Sequence, residues 1–356
     1  MRLATCILIE LGVAGSLLTG AGLATVSGVA YLRGEMARPA TPPPAPAPAG
    51  LPSRDDLSAL PDLRVSLESS GTFLGMSDEF LLSRVRTQPI VRFKLNHGGS
   101  SISFRVDFAD GSRAAWKPTQ TNLQSIPRKE IAAYRLNRLL GMNAVPPAAA
   151  RAVSRDELFT HLHPDSLSAL PRIQAETVFG PNGMTIGTAS YWIPAIKDSG
   201  FDTPAGRQQM AAWLTIGERI PVEHREMAAQ LSDLVVFDFL TANPDRYSGG
   251  NMKMSTDGSQ LYFMDNTMSF FVGLEGTQRN QANLLRTQRF SRTLYDALDK
   301  ISAPTLERIL TEDAGNPYEI LTPAEIKAVV ARRDMVRTHI DAMIAEHGSK
   351  AVFAFP

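Results

Sequence analysis

Cysteine is almost missing from this chain of 356 residues: Cys6 is the only one. Disulfide frameworks, Cys-based zinc sites and Cys nucleophiles are therefore excluded from everything that follows it. Net charge is missing too, because 36 Lys+Arg balance 36 Asp+Glu. That balance gives no global steering toward nucleic acid, and no nucleic-acid partner is expected. Charged residues at 20% and apolar residues at 44% exclude a polytopic membrane protein and a fully disordered chain. There is no G-x-x-x-x-G-K, no H-E-x-x-H and no G-x-S-x-G. No internal repeat is visible. His161 and His163 are the nearest thing to a metal motif, but two lone histidines in a polar loop more often face solvent.

Charge is locally absent as well. From Leu11 to Leu32 there are 22 residues without one. As a helix that run reaches about 33 Å, enough for a hydrocarbon core of about 30 Å. Residues 1–34 fit a signal anchor, or a signal peptide cleaved near Gly28-Val29-Ala30. Residues 35–53 form a linker; from Pro39 to Pro52, seven of fourteen residues are proline. Such a stretch lacks backbone donors and adopts extended polyproline II, which holds a folded part off a membrane surface.

The remainder changes character midway. Gln88 to Leu95 reads as a strand, and Ile102, Phe104, Val106 and Phe108 alternate on one face of the next. Ala109-Asp110-Gly111 turns the chain into a returning strand, Ser112 to Lys117. Pro127 to Leu140 is helical in composition, with Gly141 at its end and Pro146-Pro147 beyond. Thr185 to Ile196 reads as a strand leading into a connection. Helices are expected over Pro204–Ile216 and Glu226–Leu240, and a hairpin turns at Asp257-Gly258. The last helix carries Thr322 as N-cap, Pro323 at N1, Glu325 at N3 and Gly348 past its end. A β-rich first half and a helix-rich second half predict an α+β protein of two lobes, residues 54–196 with the connection and residues 197–356.

One constellation carries chemistry. The helix through Phe237-Asp238-Phe239-Leu240 runs into a loop with Asn243, Asp245, Arg246 and Asn251, and a short strand then ends in Asp265-Asn266. Upstream lie Lys117 on a strand and Glu130 at a helix start. Phosphoryl transfer needs these parts. A lysine neutralises nucleotide phosphates and a helix glutamate holds it. An aspartate accepts the proton of the attacking hydroxyl, and an Asn and a second Asp hold divalent metal. Hard oxygen ligands suit Mg²⁺ or Mn²⁺. Singly, each residue has an ordinary reading, such as a strand-end lysine, a first-turn acid or a turn Asp-Asn. The order, spacing and local context of all five are much more specific.

At these residues the sequence resembles the secretory-pathway kinase family of Golgi casein kinase and four-jointed. The likeness rests on Gly98-Gly99, Ala115-Trp116-Lys117-Pro118, Glu130-Ile131-Ala132-Ala133-Tyr134 with Val145-Pro146-Pro147, Phe237-Asp238-Phe239-Leu240, Asn243-Pro244-Asp245-Arg246 and Met264-Asp265-Asn266. The resemblance implies a two-lobed atypical protein-kinase-like fold with ATP between the lobes. It implies a Ser of a secreted protein or a sugar hydroxyl of a glycan as acceptor, and Mn²⁺ or Mg²⁺ as metal. Lys117 would contact phosphates and pair with Glu130, Asp245 would be the base, and Asp265 would bind metal. The backbone through Trp192, Ile193 and Ala195 would meet adenine. A tether with the catalytic part on the non-cytosolic side, the periplasm in a bacterium, is implied too, or secretion if the N-terminal segment is cleaved.

Three positions depart from that pattern. The second metal ligand usually comes five residues after the base, where Gly250 stands, and Asn251 is one further on. Tyr247 replaces the usual His, and Thr267 the usual Gly. A lipid or small-molecule kinase of phosphatidylinositol-kinase type and a pseudokinase partner stay open as alternatives, as does the oligomeric state.

Overall fold

The computed structural model describes residues 72–248, 250–310 and 319–356. All belong to one compact unit, Leu67–Pro356. The N-terminal anchor or signal peptide, the Pro-rich linker and the first residues of the lobe expected over 54–196 lie outside the described residues. Among the described residues no helix is long and apolar enough to cross a membrane.

The first lobe opens with a minimal hairpin, β1 (Thr72–Phe73) and β2 (Met76–Ser77). Leu74 and Gly75 both take positive φ at its turn, as a two-residue connection requires. Ser77 then caps helix α1 (Asp78–Thr87) by accepting from Phe80 N at 3.2 Å. Strands β3 (Ile90–Leu95), β4 (Phe104–Phe108) and β5 (Arg113–Pro118) follow, and helix α2 (Arg128–Leu139) crosses to β6 (Ala148–Ser154). Short helices α3 (Arg155–Thr160) and α4 (Leu170–Glu176) lead to β7 (Met184–Tyr191). The sheet is antiparallel throughout, in the order β3-β4-β5-β7-β6. Its alternation buries Phe93, Phe104 and Trp116, whose rings meet at 5.5–5.9 Å.

Two boundaries differ from the expected ones for polar reasons. Strand β4 begins only at Phe104 and leaves Ile102 of the alternating set outside it, because the Gln120 amide takes the backbone of Ile102. Its Oε1 accepts from Ile102 N at 2.7 Å and its Nε2 donates to Ile102 O at 2.9 Å. The strand expected over Thr185–Ile196 is two strands. It leaves the five-stranded sheet at Tyr191, and β8 (Ile196–Asp198) joins another sheet. Pro194 stands in the gap and has no N–H to give to a ladder. Strand β6 was not legible at all. Its Ala-rich sequence has low strand preference, yet it pairs with β7 along its whole length.

The second lobe is mostly helical: α5 (Pro204–Trp213), α6 (Arg225–Thr241), α7 (Gln278–Arg286), α8 (Arg292–Ala297), α9 (Ala303–Leu310), α10 (Pro323–His347) and α11 (Ser349–Val352). Between α6 and α7 lie β9 (Met252–Ser255) and β10 (Leu261–Phe263), which form a three-stranded sheet in the order β10-β9-β8. Helix α5 stops three residues short of Ile216. Helix α6 is buried over most of its length and forms the axis of this lobe. It ends where Ala242 enters the left-handed region at φ 50° and Asn243-Pro244 begins the next loop. Helix α10 starts in a full capping box between Thr322 and Glu325.

Candidate active site

Strand β5 ends next to Gly187 on β7. A Cβ there would sit 2.4 Å from the Lys117 carbonyl oxygen and 2.6 Å from Trp116 Nε1. Only glycine lets the two strands approach this closely. Lys117 is buried, and its Nζ lies 2.9 Å from Glu130 Oε1 and 2.6 Å from Asp265 Oδ1. Burial by itself would lower the lysine pKa. The carboxylates of Asp265 and Glu130 outweigh that and hold the ammonium charged well above the usual lysine range.

Glu130 sits in the first turn of α2. The Thr188 hydroxyl, on the neighbour of β5, donates to the Pro127 carbonyl at 2.8 Å and ties the start of that helix to the sheet. The second carboxylate oxygen of Glu130 accepts from Asn266 N at 3.1 Å and Asn266 Nδ2 at 3.3 Å. One glutamate thus holds both the lysine and the residue after Asp265.

Asp265 has φ 51°, in the left-handed region that Asp tolerates better than most residues. Its Oδ1 accepts from Lys117 and from the Thr267 hydroxyl at 2.8 Å. Burial would raise its pKa, but Lys117 and the Thr267 bonds keep it below the usual carboxylate range. Thr267, a departure from the resembling family, is therefore a prop for this carboxylate.

The loop after α6 is held from several sides. Asn243 Oδ1 accepts from Asp245 N at 3.0 Å, and Asn243 Nδ2 donates to Asp265 O at 3.3 Å. Fully buried Arg246 forks onto Asp238, with Nε at 3.0 and 3.2 Å from its two oxygens, and donates to Asn266 Oδ1 at 2.6 Å. It also reaches the Met264 carbonyl. Asn280 of α7 donates to Asn243 O at 2.7 Å and to Asp238 O at 2.9 Å. Partly exposed Asp245 accepts from the Ser248 hydroxyl and from Asn251 Nδ2 at 3.1 Å. Gly250, at φ 73°, carries the turn that brings Asn251 back to Asp245.

Lys117 contacts both Glu130 and Asp265, Asp245 and Asn251 form a second contact pair, and Asn243 bonds to backbone of both aspartates. Trp192, Ile193 and Ala195 lie in the connection between the two sheets, where Trp192 N donates to Arg113 O at 3.1 Å. The Ile193 side chain is buried with Phe73, Leu81 and Tyr262, so only its backbone is left for a ligand. Asp238 and Asn280 gave no signal of their own in the sequence, and Thr267 stood out only as a departure from the resembling family. Only the chain position of Asp238 inside the quoted Phe237–Leu240 block pointed near it.

Divalent metal fits the donors present. Among the described residues no three His, Asp, Glu or Cys side chains gather into a ready-made metal cluster. Asp265 Oδ2 and Asn251 Oδ1 nonetheless receive no hydrogen bond from any described residue, while the other polar atom of each side chain is engaged. Two hard oxygens are available, and phosphate oxygens and water would have to complete a coordination shell.

Three comparisons with known proteins bear on this arrangement. No curated protein matches the chain by sequence. The Golgi casein kinase solved with Mn/ADP bound is 17% identical, with a TM-score of 0.60 over 78% of each chain. Another structure of the Golgi casein kinase is 17% identical, with a TM-score of 0.59 over 78% of this chain and 80% of that one. The structure of hydra Fam20 with sugar is 16% identical, with a TM-score of 0.58 over 82% of this chain and 97% of that one. These likenesses establish a two-lobed, kinase-like α+β fold. The model of the four-jointed box protein middle domain matches residues 78–271, more than half of the chain. Over residues 78–271 this chain belongs to the four-jointed box family.

Proposed function

We propose that the chain is an ATP-dependent phosphotransferase that moves the γ-phosphoryl group to an alcohol of a protein serine or a glycan. The contact of Lys117 with both Glu130 and Asp265 carries this reading. In it, Lys117 binds nucleotide phosphates and Glu130 keeps it in place. The backbone of Trp192 to Ala195 borders the adenine. Asp265 and Asn251 hold Mn²⁺ or Mg²⁺, which neutralises phosphate charge when bound. Asp245 orients the acceptor hydroxyl and takes its proton as the new O–P bond forms and the bond to the ADP oxygen breaks. The Ser248 and Asn251 bonds hold the Asp245 carboxylate for that task. The uncharged run before residue 33 and the Pro-rich stretch after it support a tethered enzyme, and the resemblance to secretory-pathway kinases supports a catalytic part outside the cytosol.

The test is mass spectrometry of the full chain incubated with ATP and Mn²⁺, alone and with an extracellular extract. Phosphorylation of the chain itself, a peptide or a sugar is expected. Asp245→Ala should lower turnover about 10²- to 10⁴-fold while ATP still binds. Full turnover in that variant would refute the assignment of the base, and phosphate transfer to lipid alone would refute the acceptor class.

A further inference from the structure

The two charged residues just before Glu130 lead away from the site. Arg128 donates to both carboxylate oxygens of Glu325, at 3.0 and 3.2 Å, and to the Ile320 carbonyl at 2.5 Å. Lys129 Nζ lies 3.3 Å from Glu325 Oε1 and 4.8 Å from the centre of the Phe271 ring. The side chains of Lys129 and Glu325 are wholly buried. Glu325 also accepts from Thr322 N at 2.8 Å, so its position is set by the capping box of α10. Seven residues further along α10, Arg332 donates to Leu240 O at 2.7 Å and Phe271 O at 2.8 Å. Leu240 lies at the end of α6, just before the Asp245 loop, and Phe271 lies six residues after Asp265. One helix therefore grips the root of α2, the end of α6 and the segment that follows Asp265.

A buried ion cluster adds little stability over apolar packing of the same volume, but it is directional. Successive helical residues are about 100° apart around the axis. Holding Arg128 and Lys129 against one fixed carboxylate therefore fixes where Glu130 points. We propose that Glu325 is a positioning residue for phosphoryl transfer: it holds α2 at the rotation in which Glu130 meets Lys117, and so sets affinity for nucleotide phosphates without touching them. Although burial opposes its charge, Arg128 and Lys129 hold the Glu325 carboxyl below its ordinary range, so it is ionised at neutral pH. The proposal rests on the reading of Lys117 and Glu130 given above.

A double-mutant cycle on the full chain tests it, with ATP affinity in the presence of Mn²⁺ as the readout. Glu325→Gln should weaken ATP binding about tenfold in the wild-type background and hardly at all in Glu130→Ala, where no pair is left to align. Arg128→Met leaves the capping box intact and should reproduce that pattern if Glu325→Gln folds poorly. Equal losses in both backgrounds, or wild-type affinity in both Glu325→Gln and Arg128→Met, would overturn the proposal. A wild type that binds no ATP would instead overturn the kinase reading, and the positioning role with it.

Discussion

Lys117 Nζ lies 2.6 Å from Asp265 Oδ1, and 148 positions of chain separate the two residues. The bond joins the end of strand β5 in one lobe to the loop two residues past strand β10 in the other. The same ammonium is 2.9 Å from Glu130, so one cation serves two carboxylates. Lys117→Met should leave both without their counter-charge. Asp265 keeps some access to water, which places the expected loss of stability near the low end for a broken buried pair, about 2–3 kcal/mol. Urea denaturation measures it, and ATP affinity should fall with it. Unchanged stability would mean that the pair is not formed in solution.

Asn251 is held to Asp245 through its Nδ2, which leaves Oδ1 for another partner. Asn251→Ala should raise the Mn²⁺ concentration for half-maximal activity at least about tenfold. Thermal unfolding without metal should barely move. A metal titration of activity decides this, and an unaltered midpoint would remove Asn251 from the metal site.

Gly187 allows β5 and β7 to approach within a distance that a methyl group would occupy. Gly187→Ala should cost about 1–3 kcal/mol through overpacking, and it should weaken ATP binding because the displaced carbonyl belongs to Lys117. Thermal unfolding and nucleotide titration of the same sample check both parts.

Asp233 on α6 offers a pH test away from the site. Burial pushes its carboxyl up to about 7, and its Oδ1 is buried without a hydrogen-bond partner. The folded state therefore holds the Asp233 proton more tightly than the unfolded state, whose value is about 3.9. Stability should then fall as pH rises from about 4 to about 7. Asp233→Asn removes that slope and should gain up to about 4 kcal/mol at pH 8 and almost nothing at pH 4. Denaturation curves at the two pH values show whether the gap closes.

Much of the scaffold was legible because its signals are local. The alternation Phe104, Val106, Phe108 marks β4, and Asp110-Gly111 marks its turn into β5. Gly141 and Pro146-Pro147 bound α2, and the capping box marks the start of α10. The Ala-rich β6 and the short helices α3 and α4 had no such pattern. Their conformation comes from what they pack against, as β6 does along β7.

By itself the sequence determined which residue types stand at strand ends, helix starts and loop tips, because periodicity and caps act between residues a few positions apart. It brought Lys117, Glu130, Asp245, Asn251 and Asp265 forward as one set by order and context. Tertiary structure alone decided which of them touch, that Thr267 props Asp265, that Arg246 is buried against Asp238, and that Glu325 lies under the root of α2. The physical reason is that a charge leaves water only where a partner waits for it. That partner is supplied by the packing of apolar faces far apart along the chain, which no local window of sequence contains.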